Sequence, residues 1–334
     1  MTLDVSVAFA TGYATPDHVV LAEQLGFKRA WLYDSPALYP DVWITLAECA
    51  RRTSRIGLGP GVLVPSLRHP MVNAAAIAHL EHLAPGRVNV AIGSGFTGRL
   101  TLGQRPLAWS WVREYIICVQ GLLAGRTMQW EGASIAMMHP DGFAPQRPIV
   151  VPFIVGAGGP KGMAVARELA DGIFSTQPES GCDWCNILAF GTVLDDGEAA
   201  DSERAIAAAG HGAAVALHAM YDRGYDLSGW PGGPHWLASL ADIDPTERHL
   251  ALHDLHLIGV NNRDRPMITA ELMTRAGGAR NREQWHTHFT ALEAAGATEI
   301  SYQPAGPDIE EELSRFAQML SVSTQSRPFI PPST

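Results

Sequence analysis

At 334 residues, with 46% hydrophobic and 17% charged residues, the chain has ample material for a large core, and its length fits two domains or one α/β barrel. A formal charge of −10 argues against nucleic acid or an anionic membrane surface as the main partner. With no 18-residue apolar run and no leader pattern at the N-terminus, a soluble cytoplasmic protein is expected.

Asp4–Ala10 alternates and is β-branched, which predicts a strand; Pro16–Phe27 follows as a helix with Thr15 available as its cap. Arg29–Ser35 and Arg55–Pro65 are further strands, each followed by a helix, Asp41–Ser54 and His69–Leu83. Arg87–Gly95 and Leu107–Ala124 repeat the unit, and Met128–Met138 reads as a small hairpin excursion. The fifth strand, Ile149–Val155, runs into Gly156, Ala157, Gly158 and Gly159, and a helix opens with Pro160. Proline costs nothing at the first helical position, and glycines before a helix start let backbone N–H groups approach an anion. This turn is read as a phosphate cradle, with Lys161 placed to meet a phosphate or carboxylate tail. Lys161 and Lys28 are the two lysines of a chain that otherwise uses arginine. Strands at Ile173–Gln177 and Asn186–Leu194 come next, then an alanine-rich helix from Ser202 to Tyr221. Gly224–Pro266 breaks the rhythm, and Arg282–Ala295, Thr298–Gln303 and Ile309–Leu320 restore it as helix, strand and helix. Ser321–Thr334 is a polar, proline-rich tail that docks or is disordered.

Eight strands alternating with helices indicate parallel pairing, and the predicted fold is a (β/α)8 TIM barrel with an irregular insertion before the last strand. A doubly wound sheet is the alternative, but its first strand would need a G-x-G-x-x-G turn, which VAFATGY lacks. One barrel domain over residues 1–320, with 224–266 as insertion or lid, is the expected organisation. Chemistry then belongs at the C-terminal ends of the strands. There stand Asp34, suited to proton transfer, to a polar ring edge or to capping the next loop; Gly59-Pro60-Gly61-Val62, where so much glycine and proline implies close backbone approach; and Gly93-Ser94-Gly95-Phe96-Thr97. Together they describe a wall with few side chains, suited to a planar ring. Thr176, at the end of the sixth strand, joins the candidate contacts.

Of the four cysteines, Cys49 and Cys118 fall in helical patterns as core residues. Cys182 and Cys185 form a C-x-x-C without the second half of a zinc site, so two free thiols are expected. His249, His253 and His256 share a face at i, i+4 and i+7 if Thr246–Leu257 is a helix; lacking a carboxylate set at ligand spacing, they are assigned to a lid or the core, and no metal is expected. His69 is expected to brace the loop-to-helix turn with Arg68. Trp43, Trp109, Trp111, Trp230 and Trp236 suit the core or an interface better than a pocket.

YDSP (Tyr33–Pro36), GPGVLVPSLRHP (Gly59–Pro70), LAPGRVNVAIGSG (Leu83–Gly95), LLAG (Leu122–Gly125) and VGAGGPKG (Val155–Gly162), in this order, resemble the bacterial-luciferase-like superfamily. Within it the chain is most similar to the deazaflavin-dependent branch that includes methylenetetrahydromethanopterin reductase. The resemblance covers Asp4–Gly172 and fades beyond. It implies a non-prolyl cis peptide at Gly61–Val62 against the coenzyme ring, phosphate binding by Gly158 and Gly159, an acidic position near the ring at Asp34, and pocket-lining backbone at Gly95 and Thr97. It also implies a homodimer built on the helices after strands two and three. Several relatives carry a histidine directly after the strand-two aspartate; this chain has Ser35. The function implied is hydride transfer between coenzyme F420 and a small organic substrate, with Asp34 at the ring edge and His253 or His256 supplying a proton. An FMN-dependent monooxygenase using O2, and a catalytically inactive cofactor-binding barrel, are the alternatives.

Overall fold

The computed structural model describes residues 3–321. Eight strands, β1 (Asp4–Phe9), β2 (Arg29–Leu32), β3 (Gly57–Pro60), β4 (Val90–Gly93), β5 (Phe153–Gly156), β6 (Gly172–Ser175), β7 (Cys185–Phe190) and β8 (Glu299–Gln303), form one sheet. Its order is β3-β2-β1-β8-β7-β6-β5-β4, and each neighbouring pair is parallel. Isolated parallel bridges, Leu58 to Val88 and Leu63 to Ile92, join its two edges, so the sheet closes as the predicted barrel. The surrounding helices are α1 (Thr15–Gln24), α2 (Val42–Arg52), α3 (Pro70–Leu83), α4 (Trp109–Leu123), α5 (Pro160–Leu169), α6 (Glu203–Asp222), α7 (Arg282–Ala294) and α8 (Ile309–Ser321).

The strands are buried on both faces, and their period of two divides the core. Val7 and Phe9, Leu32, Val90 and Ile92, and Val155 pack outward with the helices. The intervening Ala8, Trp31, Ala91, Ile154 and Phe174 form the inner cluster, where Trp31 meets Phe174 edge-on at 5.6 Å between centroids. At the N-terminal end of the barrel, buried Glu299 accepts from Arg29 (2.8 Å), Trp184 Nε1 (2.6 Å) and the Ser6 hydroxyl.

Several boundaries differ from the sequence-based expectation. Thr15 does not cap α1: Ala14 is the capping residue, and the Thr15 hydroxyl accepts instead from Gly12 N–H at 2.8 Å, closing the turn before the helix. The strand expected over Arg55–Pro65 ends at Pro60. A Cβ on Gly59 would lie 1.8 Å from the Asn89 carbonyl oxygen, so β3 and β4 meet closely there and the chain beyond departs from the regular ladder. Asn186–Leu194 splits at Gly191, whose φ of 149° turns the chain into a two-residue strand, Thr192–Val193, paired with Ala279–Arg280.

The segment after α6 is folded. Helices Gly233–Ala241 and Arg248–Leu252 enclose a small core of Leu217, Leu227, Trp236, Leu240, Leu252 and Met267. The single helix Thr246–Leu257 does not form: the helix stops at Leu252, and Leu255 and Leu257 take left-handed φ values of 57° and 63°. His249 therefore parts from His253 and His256. Of the expected tail Ser321–Thr334, Ser321 ends α8 and the remainder lies outside the described residues.

Candidate active site

At the C-terminal mouth of the barrel lies a cavity of about 490 Å³. Its floor is made by Gly61 and Val62, joined by a cis peptide bond, as the resemblance implies. The glycines around it have a steric reason. A Cβ on Gly93 or on Gly156 would sit 2.8 Å from a Val62 methyl, and one on Gly61 would sit 2.8 Å from Trp31 Cβ. β4 and β5 thus end in glycine because Val62 folds between their ends, leaving a floor of backbone and one small side chain.

The walls come from successive strand ends. Tyr33, Asp34 and Ser35 follow β2; Gly95, Phe96 and Thr97 follow β4; Phe174 to Thr176 end β6, and Leu188 lies on β7. Trp109, from the start of α4, completes one side, where it fills the space a side chain on Gly162 would need. Ala157, Gly158 and Gly159 form the lip that leads into α5. A Cβ on Gly158 or Gly159 would meet nothing within 4 Å, so both face open space, beside helix N–H groups that have no intrahelical acceptor. Leu257, from the segment after α6, also lines the cavity. It is held there by Gln303, whose Nε2 donates to the Leu257 carbonyl at 2.6 Å and whose Oε1 accepts from the Tyr33 hydroxyl at 2.8 Å.

Of the residues singled out from sequence, Asp34, Gly61, Val62, Gly95, Thr97, Gly156, Ala157, Gly158, Gly159 and Thr176 all border this one cavity. Lys161 is exposed on the first turn of α5 and is not among the lining residues. His253 and His256 border a neighbouring cavity of about 380 Å³ instead. His256 touches the first cavity through Thr97, its Nε2 lying 3.2 Å from the Thr97 hydroxyl.

Both Asp34 oxygens are engaged. Arg68 Nη1 donates to each at 2.8 Å, and Val64 N–H donates to Oδ2 at 3.2 Å. Arg68 Nη2 also donates to Asp41 at 2.7 Å. Burial pushes the Asp34 carboxyl up from its ordinary value, and the Arg68 guanidinium opposes that shift without cancelling it. Tyr115 donates to the Arg68 carbonyl and accepts from Asn73, which in turn accepts from Trp43 Nε1, so α2, α3 and α4 all brace this loop. His69 braces the turn, though by itself: its Nδ1 accepts from Met71 N–H and caps α3, while Arg68 turns inward.

Trp230 and Trp236 pack in the segment after α6, and Trp111 stacks on Tyr115 at 5.5 Å, whereas Trp109 reaches the cavity. Cys49, Cys118, Cys182 and Cys185 are free thiols. Among the described residues no helix is long and apolar enough to cross a membrane.

The family model for luciferase-like monooxygenases matches residues 10–183, half of the chain. The chain belongs to the luciferase-like monooxygenase family. This luciferase-like chain is 35% identical over 181 residues to an F420-dependent glucose-6-phosphate dehydrogenase of Beutenbergia cavernae, covering 48% of this chain and 51% of that one. It is 31% identical over 164 residues to a 5,10-methylenetetrahydromethanopterin reductase of Methanolobus tindarius, covering 46% and 47%. The luciferase-like chain thus spans about half the length of the curated relatives it matches. A coenzyme F420-dependent tetrahydromethanopterin reductase from Methanopyrus kandleri shares its fold, with a TM-score of 0.64 at 19% identity over 95% of this chain and 98% of that one.

Proposed function

We propose that this chain is an oxidoreductase that uses coenzyme F420 and a small organic substrate. The observation that carries the reading is a floor of backbone with one small side chain, joined to an open glycine lip in one cavity. Gly61, Val62 and Gly156 offer a flat surface to a tricyclic ring, and Gly158 and Gly159, at the positive end of α5, suit the coenzyme phosphate. The relatives named for F420 support it from the first half of the chain.

When bound, the deazaflavin supplies hydride chemistry at its ring; the chain supplies orientation, a dry site and polar groups. Trp109, Phe174, Leu188 and Leu257 exclude water. Asp34 is a positioning residue that, through Arg68 and Val64, fixes the loop carrying the floor. Thr97 is the polar group placed toward the reacting partners, and His256, with His253 behind it, acts through the Thr97 hydroxyl rather than directly. This arrangement brings an imidazole to the mouth of a site where Ser35 replaces the histidine of several relatives. A homodimer through α2 and α3 is part of the proposal, supported by Ile44 and Val72, apolar side chains that those helices leave exposed.

The test is a titration of the purified chain with oxidised F420 and, separately, with FMN, followed by fluorescence and calorimetry. F420 binding with FMN at least about a hundredfold weaker, some 2.7 kcal/mol, supports the proposal. Preferential FMN binding moves the chain to the oxygenase reading, and binding of neither leaves an inactive barrel.

A further inference from the structure

Beside the coenzyme cavity, three buried histidines from two segments converge. His218 lies on α6, and His253 and His256 follow the helix Arg248–Leu252; one ring nitrogen from each lies within 4.8 Å of the others. The Nδ1 atoms of His253 and His256 are 3.3 Å apart. Two imidazole nitrogens on one tetrahedral ion stand about 3.3 Å apart, given metal–nitrogen distances of about 2.0–2.1 Å.

For two of the three rings the outer contacts match what metal-bound histidines require, which is a partner on the second ring nitrogen that fixes the tautomer. His218 Nε2 donates to Asp264 Oδ2 at 2.8 Å, and Asp264 Oδ1 accepts from Trp236 Nε1 at 2.7 Å. That leaves His218 Nδ1 as a lone-pair nitrogen, and it is buried with no hydrogen-bond partner. His256 Nε2 faces the Thr97 hydroxyl. A reading as ordinary core histidines leaves His218 Nδ1 orphaned, an arrangement that costs free energy in a buried site. A cavity of about 380 Å³ borders two of the three rings, those of His253 and His256.

We propose that His218, His253 and His256 form a binding site for a first-row divalent cation of the zinc type, with Asp264 as the carboxylate behind His218. The ion ties the segment after α6 to that helix, holds Leu257 at the coenzyme cavity, and fixes the His256 Nε2–H toward Thr97. This site lies outside the matched family region and does not depend on which coenzyme the barrel takes.

The probe is cobalt(II), added to untagged, chelator-treated full-length chain. One equivalent taken up with the visible absorption of a low-coordinate nitrogen site, displaced by zinc and accompanied by a rise in Tm, is expected. H218N and H253Q should each reduce that uptake at least about tenfold, while H79Q/H82Q, which removes a histidine pair on α3, leaves it unchanged. Since a core variant can fail to fold, the wild-type chain is read as well: cobalt should shift the ring protons of His218, His253 and His256 in its NMR spectrum. Absence of stoichiometric uptake, uptake that survives H253Q, or shifts confined to His79 and His82 overturns the proposal.

Discussion

Arg68 joins two carboxylates at the mouth of the barrel. Its side chain pairs with Asp34, which is 1% exposed, and with the partly exposed Asp41, so its loss strands a buried carboxylate. Removing one partner of a buried ion pair costs about 3–5 kcal/mol, far above the value of a surface pair. Arg68→Met is therefore expected to lower the unfolding free energy by about 3 kcal/mol in urea titrations. Asp34→Asn in the same background should restore part of it, because the uncompensated charge is gone. A loss below about 1 kcal/mol would mean that Asp34 is already neutral when folded. The pairing was not legible in the sequence. Both residues stand in motifs at strand ends, but periodicity and motif spacing describe backbone geometry, and neither says which side chains meet across a barrel mouth.

Among the elements, those organised by local backbone chemistry were legible and the irregular ones were not. The strand-end glycines could be read because each answers a steric demand, Val62 between Gly93 and Gly156 or Trp31 beneath Gly61, that excludes other residues. The segment after α6 has no period to read, and its organisation rests on a small core and on hydrogen bonds such as Tyr39 to the His256 carbonyl. Hence the spacing of His249, His253 and His256 predicts one helical face, whereas the chain turns after Leu252 and the third histidine of the cluster is His218. Helices α2 and α3 carry a prediction at this scale. Ile44, 73% exposed, is expected to lie in a dimer contact, and Ile44→Glu should shift the sedimentation coefficient from dimer to monomer. A wild-type chain that sediments as a monomer removes α2 from any such role.

For the whole molecule, buried histidines contribute to the loss of stability in acid. His211 on α6 is fully buried against Phe190, with both ring nitrogens unpartnered, and burial pushes its pKa down to about 4. His253 is pushed down to a similar value. Unfolded, each titrates near 6.5, so between pH 6.5 and 4 the unfolded chain binds protons that the folded chain refuses. The stability these histidines contribute therefore rises with pH across that window, is fully present above it, and is lost on acidification. At pH 5 each such histidine takes away about 2 kcal/mol relative to pH 7. Urea unfolding in the presence of a chelator should show this fall, and His211→Leu should flatten it by that amount; an unchanged slope would assign the acid sensitivity elsewhere.

The barrel and the position of the cavity follow from the alternation of strands and helices, whereas the use of the cavity depends on its glycine lip. Gly159→Asp separates fold from function there, because a side chain at that position meets open space and places a negative charge where the coenzyme phosphate is proposed to sit. The measurement that tests the account most directly is the affinity of this variant for F420 beside that of the wild type, with Tm measured on both. The account predicts a Kd raised at least about tenfold, which is about 1.4 kcal/mol, at an unchanged Tm. An unchanged Kd would contradict it and place the coenzyme's phosphate, and with it the coenzyme, elsewhere on the chain.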